Sequence, residues 1–264
     1  MIFSPVLPAF AVSYYSTDFD SGAPAEFSSG YTNTESVQGY SGLGPGGDQF
    51  SGKFLRNPTV PGQATILELT GLPPHSGVDI EFLLAIIDSW DDGVCNVSPQ
   101  AAPDYFNVKV DGNLIFSETF ENACGTQVYH NFVDGIALSR HANLGFNQGQ
   151  PYWTDSAYNI GADPTFQNIP HTSPTLKIEW YADGAGWQGG TIGGNQNDAA
   201  NDESWAIDNV RINLVGEGQV IGGELLPINT VALLLAGTQS VAWMIPVLAG
   251  IAGVAAIYIK KRKN

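Results

Sequence analysis

The segment "TLKIEWYAD", Thr175–Asp183, alternates without a break: Leu176, Ile178, Trp180 and Ala182 on one side, Lys177, Glu179, Tyr181 and Asp183 on the other. Period-2 alternation marks a strand with one buried and one wet face. Similar candidate strands cover 12–19, 49–56, 64–70, 78–88, 105–110, 114–120, 127–132, 138–146 and 204–215. In "YFNVKVDGNLIFSETF" the pair Asp111-Gly112 supplies the positive φ angles of a tight hairpin turn. "VDIEFLLAIID" alternates at first, then is apolar on both faces from Phe82 to Ile87, as in a central strand covered above and below. No helical pattern precedes residue 241, and no internal repeat appears. With 31 Gly and 16 Pro for turns, and only 14% charged residues, the chain reads as all-β rather than disordered. About ten short strands predict a jelly-roll β-sandwich.

One strand carries a fault. In "DESWAIDNVRINL", residues 202–214, Val210, Ile212 and Leu214 alternate with Arg211 and Asn213. Counting back by twos reaches Asp208, so a carboxylate falls on the core face unless a bulge shifts the register. An uncompensated buried carboxylate is destabilising by several kcal/mol. Protonation, a basic partner or a metal relieves it. Four of the ten Lys+Arg are Lys260, Lys261, Arg262 and Lys263, which leaves six bases to accompany 26 acids. Calcium suits the composition better, since it takes six to eight oxygen ligands. Two clusters qualify. The first joins Asp18 and Asp20 of "STDFDSG" to Asp202, Glu203 and Asp208, because the first and last strands of a jelly roll are commonly neighbours. The second joins Asp88, Asp91 and Asp92 of "IIDSWDDG" to Asp104; its spacing is not that of an EF-hand. The plain alternative is solvated turn aspartates and strand-end caps.

Val241–Ile259 is 19 residues without a charge, enough for a helix of roughly 28 Å that spans a bilayer. A buried core helix is the alternative. The basic tail 260–264 places the C-terminus in the cytoplasm. The chain then divides into a truncated signal peptide over 1–11, an ectodomain over 12–216, a linker over 217–240, and one C-terminal transmembrane α-helix. It is expected at the cell membrane, single-pass, with the ectodomain extracellular. Ala9-Phe10-Ala11 fits a signal cleavage site, although an ordinary apolar N-terminal strand reads the same way. Cys95 and Cys124 form a disulfide in an oxidising compartment or remain two thiols. Asn96-Val97-Ser98 is a glycosylation sequon. The acidic surface repels phosphate backbones, so no nucleic-acid partner is expected.

The pairing of "DFDSG" with "DESWAIDNVRI" resembles galactose-binding-like and carbohydrate-binding-module jelly rolls. There, an acid of the first strand and an Asp of the last share a structural calcium. The resemblance implies Asp208 and, as its partner, Asp20 or Asp18. The stretches "PDYFNVKVDG", "IFSETF", "DSAYNIGADPTFQNIPHT" and "WYADGAGWQGG" resemble exported microbial proteins with PEP-CTERM-like tails, and the membrane segment with "KKRKN" resembles archaeal surface-protein tails. The likeness covers most of 14–215.

Three functions follow as expectations. A non-catalytic binding or adhesion module would hold carbohydrate or other cell-surface components by stacking on exposed aromatics. Its candidates are Trp187 in the glycine-rich loop 184–201, Trp153 and Tyr152 in "QPYWTDS", and Trp90 beside the second acidic cluster. The alternative makes the loop tryptophans lids of the sandwich, with Trp180 and Trp205 in the core. A structural envelope protein would assemble through its acidic calcium-binding surface. A glycoside hydrolase would need two carboxylates about 5–9 Å apart, and no pair is assignable, so no catalytic residue is named. Gly42–Gly47 matches G-x-G-x-x-G, but Pro45 and the lack of a following helix make it a loop rather than a dinucleotide site. His75, His130, His141 and His171 lack metal-ligand spacing, and His75 and His171, each following a proline, read as surface turn residues.

Overall fold

In the computed structural model, residues 9–29, 33–57, 63–93, 102–122, 129, 136–146, 154–187 and 203–217 are described; all lie in one compact unit, residues 1–218. They form thirteen strands: β1 (Ala9–Thr17), β2 (Phe27–Ser29), β3 (Asn33–Ser36), β4 (Lys53–Asn57), β5 (Thr65–Thr70), β6 (Gly77–Ile87), β7 (Asp104–Val110), β8 (Asn113–Thr119), β9 (Ala137–Ala142), β10 (Asp155–Tyr158), β11 (Ile169–Pro170), β12 (Thr175–Gly184) and β13 (Ser204–Glu217). One sheet runs β3-β4-β13-β6-β10-β9, with β1 beside β13 and β11 beside β6; the other runs β2-β5-β12-β7-β8. The expected all-β sandwich forms. Among the described residues the only helical pieces are three short 3-10 turns, and no helix is long and apolar enough to cross a membrane.

Alternation places the core. Leu176, Ile178, Trp180 and Ala182 of β12 pack with Phe106 and Val108 of β7 against Ile80, Phe82, Leu84 and Ile86 of β6 and Trp205, Ile207, Val210 and Ile212 of β13. Each fully buried side chain of this size stabilises the fold by roughly 1.5–3 kcal/mol. The doubly apolar half of β6 has its second partner too. Leu83, Ala85 and Ile87 face outward and meet Ala206 of β13, Tyr40, Phe50, Phe54 and Phe146. The outer face of this sheet is therefore roofed by its own small apolar cluster, with the Tyr40 hydroxyl donating to Ile86 O at 3.1 Å.

The fault in β13 resolves through a bulge. Asp208 pairs with Leu83, whereas Arg211 pairs with Glu81, so three steps on β13 match two on β6. The extra residue is Asn209, at φ 49°. Asp208 consequently shares the outer face with Ala206 and Leu83, while Val210 returns to the inner core. This corrects the unbulged register, which would drive the carboxylate between the sheets.

β1 begins at Ala9 and pairs with β13 from Ala9↔Glu217 to Thr17↔Val210. It thus takes in Ala9–Ala11, which the sequence reading assigned to a signal segment. The glycine-rich segment 42–47 is a loop, as expected. Residues 1–8, the expected strand 127–132 apart from Tyr129, and 218–264 with the expected membrane helix lie outside the described residues.

Candidate functional site

The bulge sets up the first acidic site. Asp208 is fully buried beneath the loop between the 3-10 turn Gln38–Tyr40 and β4. It accepts N–H groups from Asn209 at 2.7 Å and Ser51 at 3.4 Å, and the Asn209 amide ties the bulge to Gln49 O at 2.8 Å. Asp18 and Asp20, exposed at the end of β1, stand over it. Asp20 Oδ1 accepts the Lys53 N–H at 2.8 Å, and Asp18 Oδ1 accepts the Asp20 N–H at 3.1 Å. Gly52, at φ +54°, is required: a Cβ there would lie 1.8 Å from Asp20 Oδ1. Burial pushes the Asp208 carboxyl up to about 8, and the charges of Asp20 and Asp18 push the same way against two N–H donors. Arg211 is committed to Glu81 at 2.9 Å and Asp48 at 3.4 Å. Beside the cluster opens a polar cavity of about 310 Å³ lined by Ser16, Thr17, Asp18, Asn209, Val210 and Arg211. The predicted meeting of chain start and chain end is therefore present for Asp18, Asp20 and Asp208.

Glu203 belongs elsewhere. Its carboxylate lies with those of Asp91 and Asp104, all ligand atoms within 4.8 Å of one another. This corrects its placement with Asp18 and Asp20: Glu203 stands just ahead of β13, where Ser204 pairs with Ile87 at the end of β6 that leads into the loop of Asp91. Asp104 binds the loop after β6 twice, its N–H donating to Asp91 O and its Oδ2 accepting the Asp91 N–H, both at 2.8 Å. Asp104 and Glu203 are buried and Asp91 half-buried. Asp88 and Asp92 sit on the same loop, buried, but outside that trio. Their backbone N–H groups are taken by two acids that sequence reasoning missed, Asp155 at 3.0 Å and Glu121 at 3.3 Å. Burial raises the Asp155 carboxyl, opposed by N–H groups of Asp88, Leu144 and Phe146. The only sequence signal for either acid is its position beside a strand end.

The aromatic candidates are corrected. Trp90 and Trp187 are buried and meet edge to face with centroids 4.9 Å apart. Neither offers a ring to solvent. Loop 184–187 folds inward because Gly186 passes close to Ala102, where a Cβ would lie 2.0 Å from the carbonyl oxygen. Trp180 and Trp205 are core, as the lid reading expected. Trp153, Tyr152, Asp202, Cys95, Cys124 and Asn96 lie outside the described residues.

Solvent-facing aromatics occur instead on the outer face of the second sheet. Tyr181 of β12 stands opposite Asn107 of β7, and Asp183 opposite Tyr105, so Tyr105 and Tyr181 are diagonal neighbours, roughly 7–8 Å apart along the face. Ile66 of β5, opposite Glu179, continues the diagonal. All three are half-buried. Lys109 Nζ lies 4.8 Å from the Tyr181 ring centre, a cation–π contact that holds the ring. Asn107 Nδ2 donates to Asp183 Oδ1 at 2.8 Å, and Lys177 pairs with Glu179 at 3.1 Å.

No protein-family model matches the chain, and no curated protein matches it. Among solved structures it is similar to the tandem CBM22 modules of Paenibacillus barcinonensis Xyn10C, at 16% identity over 78% of this chain and 50% of that one, with a TM-score of 0.31. The chain thus spans about half the length of that tandem. It is also similar to a xylan-binding domain from CBM 22, at 14% identity over 80% and 98% of the two chains and a TM-score of 0.31. A third neighbour is the C-terminal family 22 carbohydrate binding module of Clostridium thermocellum Xyn10B, at 14% identity over 79% and 97%, with a TM-score of 0.30.

Chemically, the trio of Asp91, Asp104 and Glu203 brings hard oxygen donors within 4.8 Å of one another, the ligand type that calcium takes. Asp208 is a buried carboxylate whose charged form is disfavoured by burial and by two neighbouring carboxylates. The outer sheet face offers something different: half-buried rings bordered by the Lys109 ammonium and the Asp183 carboxylate, with the buried Asn107 amide tying Asp183 in place.

Proposed function

We propose that this chain is a non-catalytic carbohydrate-binding module: a jelly-roll β-sandwich that lays a glycan chain across the outer face of β5, β12 and β7. The observation that carries this reading is the diagonal of Tyr105 and Tyr181 bordered by Lys109 and Asp183. A pyranose presents an apolar C–H face and a rim of hydroxyls, and a ring flanked by donors and acceptors complements both. Calcium would be held by Asp18, Asp20 and Asp208, and by Asp91, Asp104 and Glu203, where it offsets the repulsion among carboxylates and fixes loops to strands. The segment 241–259 would anchor the module in the cell membrane, with the tail 260–264 in the cytoplasm and the β-sandwich outside.

The test is a glycan array followed by calorimetry on the best-retained glycan, using the purified full-length chain. Tyr105→Ala and Tyr181→Ala should each weaken binding roughly tenfold, equivalent to about 1.4 kcal/mol, with the circular dichroism spectrum unchanged. Undiminished retention by the double variant removes this reading.

A further inference from the structure

β1 is an outer strand of the larger sheet. It pairs with β13 alone, and among the described residues no strand lies along its other edge. Ala11, Val12, Ser13, Tyr14 and Ser16 are exposed. Val12, at 63%, is the most exposed large hydrophobic side chain among the described residues, and Tyr14, at 37%, is another. Val12 stands opposite Leu214, which belongs to the core between the sheets, so it lies on the inward face of the sheet yet meets solvent. Tyr14 occupies the register shift between Ser13 and Tyr15, and its hydroxyl donates to Thr70 O of β5 at 2.9 Å. Its ring therefore leans toward the second sheet, on the side of Val12.

The other margins of the sandwich are guarded. An edge strand presents N–H and C=O groups that can pair with another chain, and charges or brevity prevent this. β3 and β9 carry Glu35 and Arg140, β8 carries Glu118, and β2 has only three residues. β1 has nine residues, none charged and none a proline. The occupant such an edge accepts is an extended backbone. Charge selects which one. With a formal net charge of −16, two copies of this chain repel over most of their surfaces, and β1 is a strip where they can meet without opposing like charges. A twofold axis makes any strand its own antiparallel partner. We propose that this edge is a homodimer interface: β1 pairs antiparallel with its counterpart in a second copy, about a twofold axis at Val12, so that one sheet continues through both. In this register Val12 meets the partner's Val12 and covers it, Ala9 stands opposite the partner's Tyr15, and Asp18 falls outside the paired segment. Tyr105 and Tyr181, on the outer face of the other sheet, stay uncovered in such a dimer.

The test is sedimentation of the purified full-length chain in detergent over a concentration series, once with calcium and once with chelator. The expected result is a monomer–dimer equilibrium in both conditions. Val12→Lys sets two ammonium groups against each other on the axis and should raise the dimer dissociation constant at least about tenfold, with the circular dichroism spectrum unchanged. Val12→Cys should yield a covalent dimer under mild oxidation. Residues directly opposite in antiparallel strands have Cα atoms ~4.5–5.5 Å apart, within the span of a disulfide. Ser117→Cys, exposed on β8 of the other sheet, should stay uncross-linked, as should the wild type. If Val12→Lys does not fold, cross-linking of Val12→Cys decides. A monomer at every concentration, a dimer that dissociates in chelator, or a dimer that folded Val12→Lys leaves intact overturns the proposal.

Discussion

Trp90 donates its indole N–H to Ser204 O at 2.8 Å while its ring receives the edge contact from Trp187, so one side chain joins the loop after β6, the end of β12 and the start of β13. Burial of the indole bodies, with the polar edge of Trp90 satisfied, explains why tryptophans in loop sequence serve the core rather than solvent.

Trp187→Ala should therefore lower stability by about 3–5 kcal/mol, as large aromatic truncations in cores do. Urea unfolding measures this. Glycan retention per folded molecule should not change, which separates a core role from a ligand-contact role.

Asp208 makes stability depend on pH. Its folded value, raised to about 8, exceeds the ordinary carboxylate value of about 3.9, so the folded state favours the protonated form. The associated stability is complete below the unfolded value and is lost as pH rises through the folded one. In chelator, melting temperature should fall from pH 4 towards about 9, and Asp208→Asn should flatten that part of the profile. Added calcium should restore the wild type at high pH and do nothing for the variant at this site.

Gly52→Ala places a methyl group where Asp20 now sits and at an unfavourable φ. A loss of at least about 1 kcal/mol is expected, together with weaker stabilisation by calcium. Calorimetric melts with calcium and with chelator check both effects.

Glu203→Gln keeps the shape of its side chain but removes one charge from the trio with Asp91 and Asp104. Without divalent ions the variant should melt a few degrees higher than wild type, about 1 kcal/mol in a domain of this size. With calcium the order should reverse. Equal response of both proteins to calcium would count against a cation at that trio.

Strong alternation made β5, β6, β7, β8, β12 and β13 legible, to within a residue or two at their ends. The strands β2, β3, β10 and β11 were not, because two to four residues are too few to show a period, and the DSAY of β10 is buried throughout without being apolar. The convergence of Asp18, Asp20 and Asp208 was readable from the neighbouring of first and last strands. The bulge that turns Asp208 outward was not, since a single left-handed Asn leaves no pattern. Glu203 was misplaced because its nearness to Asp208 in sequence does not show that its carboxylate lies with Asp91 and Asp104. His171 after Pro170 looked like an exposed turn; only tertiary packing brings His75 and Asp111 against it.

β13 is hydrogen-bonded along one edge to β6 and along the other to β4 and then β1. A mechanical pull entering at Glu217 is delivered along this strand while sheet neighbours grip it from both sides. The ladder bonds then resist sliding together instead of parting one after another.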